Sequence, residues 1–175
     1  MNRGGLKPVT DRKIVERVLK GDVEAFNLLV RQWEKPIYNF IVRMIGDREE
    51  AMDLCQDAFM KAYRELATLK DLDRFSAWLY RIAHNTCFSR LRKDQGKTFV
   101  EFEPETARGS PMPIENRLAV EKALQHLPED QREVVVLKVF QGLKFEEIAL
   151  IQGAPVSTVK SRLYMAFEKL RSILE

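Results

Sequence analysis

The residues best suited to recognising nucleic acid follow Ser157, near the C-terminal end of the sequence. Guanidinium and ammonium groups bind phosphates and guanine edges, and hydroxyl groups bind several bases. On a helix that begins near Ser157, these side chains would share the outer faces beside Met165: Thr158, Lys160, Ser161, Arg162 and Tyr164. A helical hairpin with solvated charges would show the same pattern, so this segment alone leaves both interpretations open.

The residues around this segment have the spacing of a helix-turn-helix motif. Ala149 is the small residue needed where two helices cross, and Gly153, four positions later, can adopt the positive φ of the turn. Ser157 is positioned to cap the second helix. Apolar residues face each other across the predicted turn: Ile148, Ile151, Val159 and Leu163.

A second candidate surface lies in FSAWLYRIAHNTCFSRLRK, residues 75–93, which predicts one continuous helix. Aromatic rings can stack on the bases of a single strand while cations hold its phosphates. The candidates for this role are Trp78, Arg81, Asn85, Arg90, Arg92 and Lys93, with Phe75, Tyr80 and Phe88 interleaved. The alternative is that the aromatic residues are core and the cations complement a helix C-terminus.

Composition excludes several other classes of protein. The 175 residues carry a net charge of +3 and only two cysteines and two histidines, with no close pair that would suggest zinc. We therefore expect reduced, buried thiols, no metal and no cofactor. Neither a glycine-rich phosphate loop nor a nucleophile–base set is present, so no catalytic residues are predicted. The lack of an apolar signal or membrane-spanning run predicts a cytoplasmic protein without membrane insertion.

Apolar periodicity predicts an all-α chain of two small domains, the C-terminal one a helix-turn-helix domain. Helices are predicted at 11–19, 23–45, 48–66 and 75–93, which assigns residues 1–93 to the first domain. Asp22, Asp47 and Ser76 are the expected helix caps, with Glu50 completing a capping box. Residues 94–113 contain prolines and an excess of acids and predict an irregular linker, which leaves 114–175 for the second domain.

In this order, the segments DREEAMDLCQDAFMKAY, FSAWLYRIAHN, RLRK, LPEDQREVVVLKVFQGLKFEEIA and PVSTVKSRL resemble the extracytoplasmic-function group of bacterial sigma factors. The resemblance covers nearly the whole chain. It implies a subunit that binds core RNA polymerase, recognises the minus-35 and minus-10 promoter elements and promotes DNA melting. It also implies contacts with the β′ clamp helices and the β flap, and an anti-sigma factor as a further partner.

The resemblance assigns roles to particular residues. Asp53, Gln56 and Asp57 match the family's polymerase-docking run. The segment 68–74 contains Asp71 and Arg74. Together with the helix that follows, it resembles the element that opens promoter DNA near the transcription start site. Lys160, Ser161, Arg162 and Tyr164 match the positions at which the family recognises the upstream promoter element. Tyr164-Met165-Ala166-Phe167 stands where the family often has arginines, which predicts weak DNA binding by the second domain alone.

The same segments are compatible with a second function. A stand-alone helix-turn-helix regulator could carry an N-terminal sensor or dimerisation module in place of the polymerase-docking domain. Such a protein would need neither the interleaved aromatic and basic residues of 75–93 nor an acidic linker. Copurification with core polymerase would separate the two hypotheses.

Overall fold

The computed structural model describes residues 10–94 and 113–175, and within these ranges every regular secondary-structure element is a helix. The first domain contains four α-helices and the second contains four more. Their bounds are α1 Asp11–Leu19, α2 Ala25–Ile45, α3 Arg48–Glu65, α4 Phe75–Lys93, α5 Ile114–Gln125, α6 Glu129–Val135, α7 Phe145–Gln152 and α8 Val156–Leu174. The predicted all-α fold with a C-terminal helix-turn-helix domain is confirmed. The predicted linker, 94–113, lies almost entirely outside the described residues.

Local sequence signals account for several helix boundaries in the first domain. Gly46 ends α2 with a φ of 81°, a conformation that glycine adopts without steric cost. Asp47 then caps α3, because its Oδ1 accepts a 2.9 Å hydrogen bond from the Glu50 backbone amide. Glu50 does not complete the predicted capping box with its side chain; its carboxylate pairs with Arg90 instead.

Two of the predicted caps in the first domain are wrong. The Asp22 carboxylate binds Arg17 at 2.7 Å, and α2 begins after Glu24, which makes no side-chain capping bond. Ser76 lies inside α4, which already begins at Phe75. Asp22 is therefore paired with a side chain of α1, and Ser76 comes too late in the sequence to cap α4.

The helices of the first domain surround a core of aliphatic and aromatic side chains. Leu29, Ile37 and Phe40 of α2 are fully buried, as are Phe75 and Leu79 of α4. Two 3₁₀ turns, Leu66–Thr68 and Leu72–Arg74, connect α3 to α4. The DNA-opening candidates on α4 are therefore held by a helix whose inner face is firmly packed.

The second domain is organised around the turn at Gly153. This residue has a φ of 63°, as the motif requires, and Ile148, Ile151 and Val159 are fully buried around the turn. The predicted Ser157 cap is wrong, because α8 begins at Val156 with Pro155 before it. Upstream of the motif, α6 continues into a π-helical segment, Val136–Phe140.

The two domains pack against each other. Helix α4 lies along α7, and α2 contacts α5 and α6. One apolar cluster runs continuously from the first domain to Leu137, Ile148 and Val159 of the second. Among the described residues, no helix is both long and apolar enough to cross a membrane.

Candidate nucleic-acid and polymerase interfaces

The predicted DNA-reading residues lie together on the first half of α8. Lys160, Ser161 and Tyr164 are exposed, and Tyr164 is the most open of them at 68% of its surface. Thr158 and Arg162 are half-buried. The structure thus gathers all five predicted residues at one end of the second helix of the motif.

Arg162 is held by groups that the sequence did not single out. Its Nε lies 2.8 Å from Asp130 Oδ2 on α6, and its Nη1 donates to Gln152 Oε1 on α7 at 2.9 Å. Gln152 Nε2 in turn donates to the Asp130 carbonyl and to Glu133 Oε2. Because both amide hydrogens are used, the Gln152 oxygen must face Arg162. The guanidinium is therefore oriented before any ligand arrives.

A second positive region adjoins the start of α8. Lys160 Nζ lies 5.4 Å from the centre of the Phe145 ring, and Lys138 Nζ lies 4.5 Å from the same centre. Cations at this distance are attracted to the negative face of an aromatic ring. Phe145 thus gathers two ammonium groups that are 22 positions apart in sequence. Lys138 and Phe145 were not predicted from the sequence, because the contact depends on how the helices pack.

The candidates on α4 fall into two groups. Trp78 is half-buried and packs against Phe75, with ring centres 5.9 Å apart, so part of its surface supports the fold. Arg81 is exposed and donates to the Leu150 carbonyl of the second domain. Both residues lie in the first half of α4, and Arg81 contacts the second domain.

The remaining α4 candidates lie toward its C-terminal end. Asn85, Arg90 and Lys93 line a groove of about 290 Å³ between α3 and α4, together with Asp57. Arg90 is paired with Glu50 and Asp94, and Arg92 donates to the Ser89 hydroxyl at 3.2 Å. Arg90 would have to exchange carboxylates for phosphates to bind DNA, whereas Asn85 and Lys93 have exposed side chains.

The turn before α4 brings Asp71 and Arg74 together. Asp71 Oδ1 accepts from the Asp73 amide at 3.1 Å, and Asp71 Oδ2 lies 3.3 Å from Arg74 Nε. Asp73 also binds Arg12 of α1 at 2.7 Å. The turn is thus shaped by its own charged groups and attached to α1.

The three docking candidates share the solvent-facing side of α3. Asp53, Gln56 and Asp57 are all exposed. Met52 and Met60 lie on the same helix and expose 56% and 57% of their surfaces. Methionine adapts its shape to a partner surface, so acids flanked by methionines suit docking to a protein. The methionines were not predicted from the sequence, although their helical spacing could have indicated them.

The two thiols are unreactive by position. Burial raises the pKa of Cys55 to about 12, and it raises the pKa of Cys87 well above its ordinary value. Neither cysteine forms a disulfide. Over residues 10–94 and 113–175 no group of three or more metal-ligating side chains comes together.

Two family models match the chain. Sigma-70 region 2 matches residues 29–97, and Sigma-70, region 4 matches residues 117–170. The first matched segment contains α3 and α4 with their docking and DNA-opening candidates. The second contains the helix-turn-helix motif and its candidate DNA-reading residues.

Curated relatives align over almost their entire length. The RNA polymerase sigma-H factor of Pseudomonas aeruginosa is 36% identical over 94% of this chain and 94% of its own. The ECF RNA polymerase sigma-E factor of Escherichia coli K12 is 36% identical over 93% of each chain.

Solved structures share the fold. A chain of the complex of CnrH with the cytosolic domain of CnrY matches with a TM-score of 0.74 and 28% identity, covering 94% of this chain and 96% of its own. A chain of the complex of the sigma factor RpoE with the anti-sigma factor NepR from Bartonella quintana matches with a TM-score of 0.72 and 26% identity. That match covers 85% of this chain and 96% of the other.

Proposed function

The chain belongs to the extracytoplasmic-function group of RNA polymerase sigma factors, and we propose how its two domains divide the work of initiation. The first domain docks on polymerase and opens the promoter near the start site. The second domain binds the upstream promoter element. The protein acts by binding, without catalysis of its own, in the cytoplasm where polymerase transcribes.

Recognition of the minus-35 element is assigned to the first half of α8. The observation that carries the assignment is the exposed set of Lys160, Ser161 and Tyr164 beside an oriented Arg162, at the start of the second helix of the motif. The N-terminal residues of such a helix contact base edges in the major groove. Thr158 completes the set, and the ammonium groups over Phe145 add phosphate contacts.

Opening of the minus-10 element is assigned to α4 and the turn before it. Extruding a base costs a few kcal/mol, so stacking and backbone cations must offset this cost. Asn85 and Lys93 have exposed side chains for this purpose, and Trp78 has a partly exposed ring. Asp71 and Arg74 shape the turn that would receive the extruded base.

Polymerase docking is assigned to the exposed side of α3. Asp53, Gln56 and Asp57 offer acceptors and an amide to the β′ clamp helices, and the neighbouring methionines offer apolar area. The second domain would meet the β flap. A net charge of only +3 predicts low affinity of the free chain for DNA. When polymerase holds both domains, the two weak DNA contacts act together and the effective concentration of each raises the overall affinity.

An anti-sigma factor is the further partner that we propose. The solved complex from Bartonella quintana pairs a sigma factor with an anti-sigma factor, and that sigma factor's fold is shared by this chain. A factor with exposed docking and DNA surfaces needs such a partner to remain silent until a signal arrives.

The proposal is tested by copurification of the tagged full-length chain with core polymerase, followed by transcription from a promoter library. We expect a stable complex and enrichment of one class of paired upstream and downstream elements. A stand-alone regulator would instead bind duplex DNA without polymerase and would leave transcription by core enzyme unselective. That result would reject the proposed function.

A further inference from the structure

The outward face of α8 carries no cation along the first four turns of the helix. Val159 and Ala166 are fully buried and mark the inward face. At 3.6 residues per turn, the positions opposite to them form the outward face, and all of these are exposed: Ser157, Ser161, Tyr164, Met165 and Glu168. Serine hydroxyl groups, a tyrosine ring, a thioether and a carboxylate therefore make up the surface that would face the bases.

The two cations in the first half of α8 lie on either side of this outward face. Successive residues of a helix differ by about 100° in direction, so Lys160 and Arg162 fall on opposite sides of it. The Lys160 ammonium is attracted to the Phe145 ring, 5.4 Å from its centre. The Arg162 guanidinium is held by Asp130 at 2.8 Å. Positive charge at both sides suits a duplex, whose two phosphate backbones border each groove.

The apolar part of the outward face consists of two neighbouring side chains, Tyr164 and Met165. They expose 68% and 46% of their surfaces. Methionine has no hydrogen-bond donor, and its sulfur is only a weak acceptor. Its unbranched side chain adapts in shape to a neighbouring group. Met165 is therefore suited to an apolar contact and unsuited to a hydrogen bond with a base edge.

One base offers an apolar group in the major groove, because thymine carries a methyl group at C5. We propose that Met165 is a specificity-determining residue that contacts the C5-methyl of a thymine in the upstream element, with the Tyr164 ring beside it. An arginine, which the family often has in this segment, would instead favour O6 and N7 of guanine. This inference rests on the proposed function and deepens it by naming the base that α8 selects.

The test removes the methyl group from the DNA and leaves everything else in place. The upstream element is first selected from a promoter library by the full-length chain bound to core polymerase. Each thymine of the selected element, on either strand, is then replaced in turn by deoxyuridine, which pairs in the same way and lacks only the methyl group. We expect the affinity of the complex to fall roughly fourfold at one position, which corresponds to one buried methyl group.

Variants of Met165 show whether this side chain contacts the methyl group. Met165→Ala should bind the thymine and uracil duplexes equally, whereas Met165→Leu, which keeps an apolar side chain of similar size, should still distinguish them. The matched control is Leu174→Ala, which removes another exposed apolar side chain at the far end of the same helix and should leave the discrimination unchanged. Met165→Arg should select guanine at the same position of the library.

The comparison of duplexes separates a direct contact from an effect of DNA shape. A loss of affinity that arises from the shape of uracil-containing DNA would persist in Met165→Ala, and this result would overturn the inference. Equal affinity for thymine and uracil at every position in the unaltered chain, or a selected element without any A·T pair, would overturn it as well.

Two further measurements keep the outcome unambiguous. Thermal unfolding shows whether Met165→Ala is folded; if it is not, the thymine–uracil comparison in the unaltered chain and in Met165→Leu decides the question. Failure of the proposed function would appear separately, because a chain that does not copurify with core polymerase would give no selected element at all.

Discussion

Arg162 Nε lies 2.8 Å from Asp130 Oδ2, so the arginine expected to face DNA also ties α8 to α6. Asp130 and Gln152 occupy Nε and Nη1, and they fix the plane of the guanidinium. A fixed guanidinium loses less conformational entropy on binding a base or phosphate than a mobile one does. The contacts within the domain therefore prepare the residue for recognition.

Replacing Arg162 with alanine should weaken recognition of the upstream element and leave polymerase binding intact. A good arginine–base contact discriminates by about 1–3 kcal/mol, so promoter selectivity should fall by roughly fivefold to 150-fold. The measurement is run-off transcription from promoters that differ only in the upstream element.

Arg171→Ala is the matched control for Arg162→Ala. Arg171 lies on the same helix, is 66% exposed and pairs only loosely with Glu168, at 3.6 Å. Promoter choice that is unchanged in Arg162→Ala, or changed equally in Arg171→Ala, would remove Arg162 from the set of DNA-reading residues.

The double variant Asp53→Ala with Gln56→Ala should weaken binding to core polymerase. Both side chains are exposed and have no packing role, so the free energy of unfolding should change by less than about 0.5 kcal/mol. Competition with the unaltered chain for a limited amount of core enzyme measures the effect. Glu34→Ala, an exposed acid on the neighbouring α2, is the control. Equal competition by the double variant would refute the docking assignment.

Gly153→Ala should destabilise the second domain by about 1–2 kcal/mol, because a Cβ is disfavoured at a φ of 63°. The space itself is sufficient, since the nearest atoms to an added Cβ belong to the Arg81 guanidinium at 3.8 Å. Gly153→Asn should cost less, since asparagine tolerates this conformation. Thermal unfolding compares the three chains, and a fully stable alanine variant would show that the turn does not require the left-handed conformation.

Stability should depend on pH through Glu121. Burial raises the pKa of this carboxyl above its ordinary value, and the nearby Arg43 only partly opposes the shift. A raised pKa means that the folded state favours the protonated form. The contribution of Glu121 to stability is therefore greatest below the ordinary glutamate pKa of about 4.3 and is lost as the pH rises through the folded pKa.

The variant Glu121→Gln isolates this effect. Compared with it, the unaltered chain should lose free energy of unfolding as the pH is raised from 4 to 7, measured by urea unfolding. Glu168→Gln, at a half-exposed acid of α8, controls for the change in net charge. A difference that does not vary with pH, or that varies in the opposite direction, would contradict the assignment.

The sequence predicted the helices well because their apolar periodicity is local. Gly153 adopts the positive φ expected at the turn, and Gly46 ends α2 in the same left-handed conformation, which strongly favours glycine. Asp22 and Ser157 failed as caps for different reasons. The Asp22 carboxylate is paired with Arg17. Helix α8 already begins at Val156, directly after Pro155, so Ser157 lies inside the helix.

The contacts that organise the candidate sites could not be predicted from the sequence. His84 and Glu133 are 49 positions apart, and Arg162 meets Asp130 across 32 positions. Such pairs depend on how helices pack, which periodicity does not determine. The sequence could indicate candidates for binding DNA. It could not show that Arg81 and Arg162 are engaged with the protein itself.

The most direct test is the affinity of the full-length chain for a promoter duplex, measured alone and with core polymerase in the same salt. We expect weak, unselective binding by the chain alone, and selective binding with strand opening once polymerase is added. Tight, selective binding to duplex DNA by the chain alone, with no association with polymerase, would contradict it.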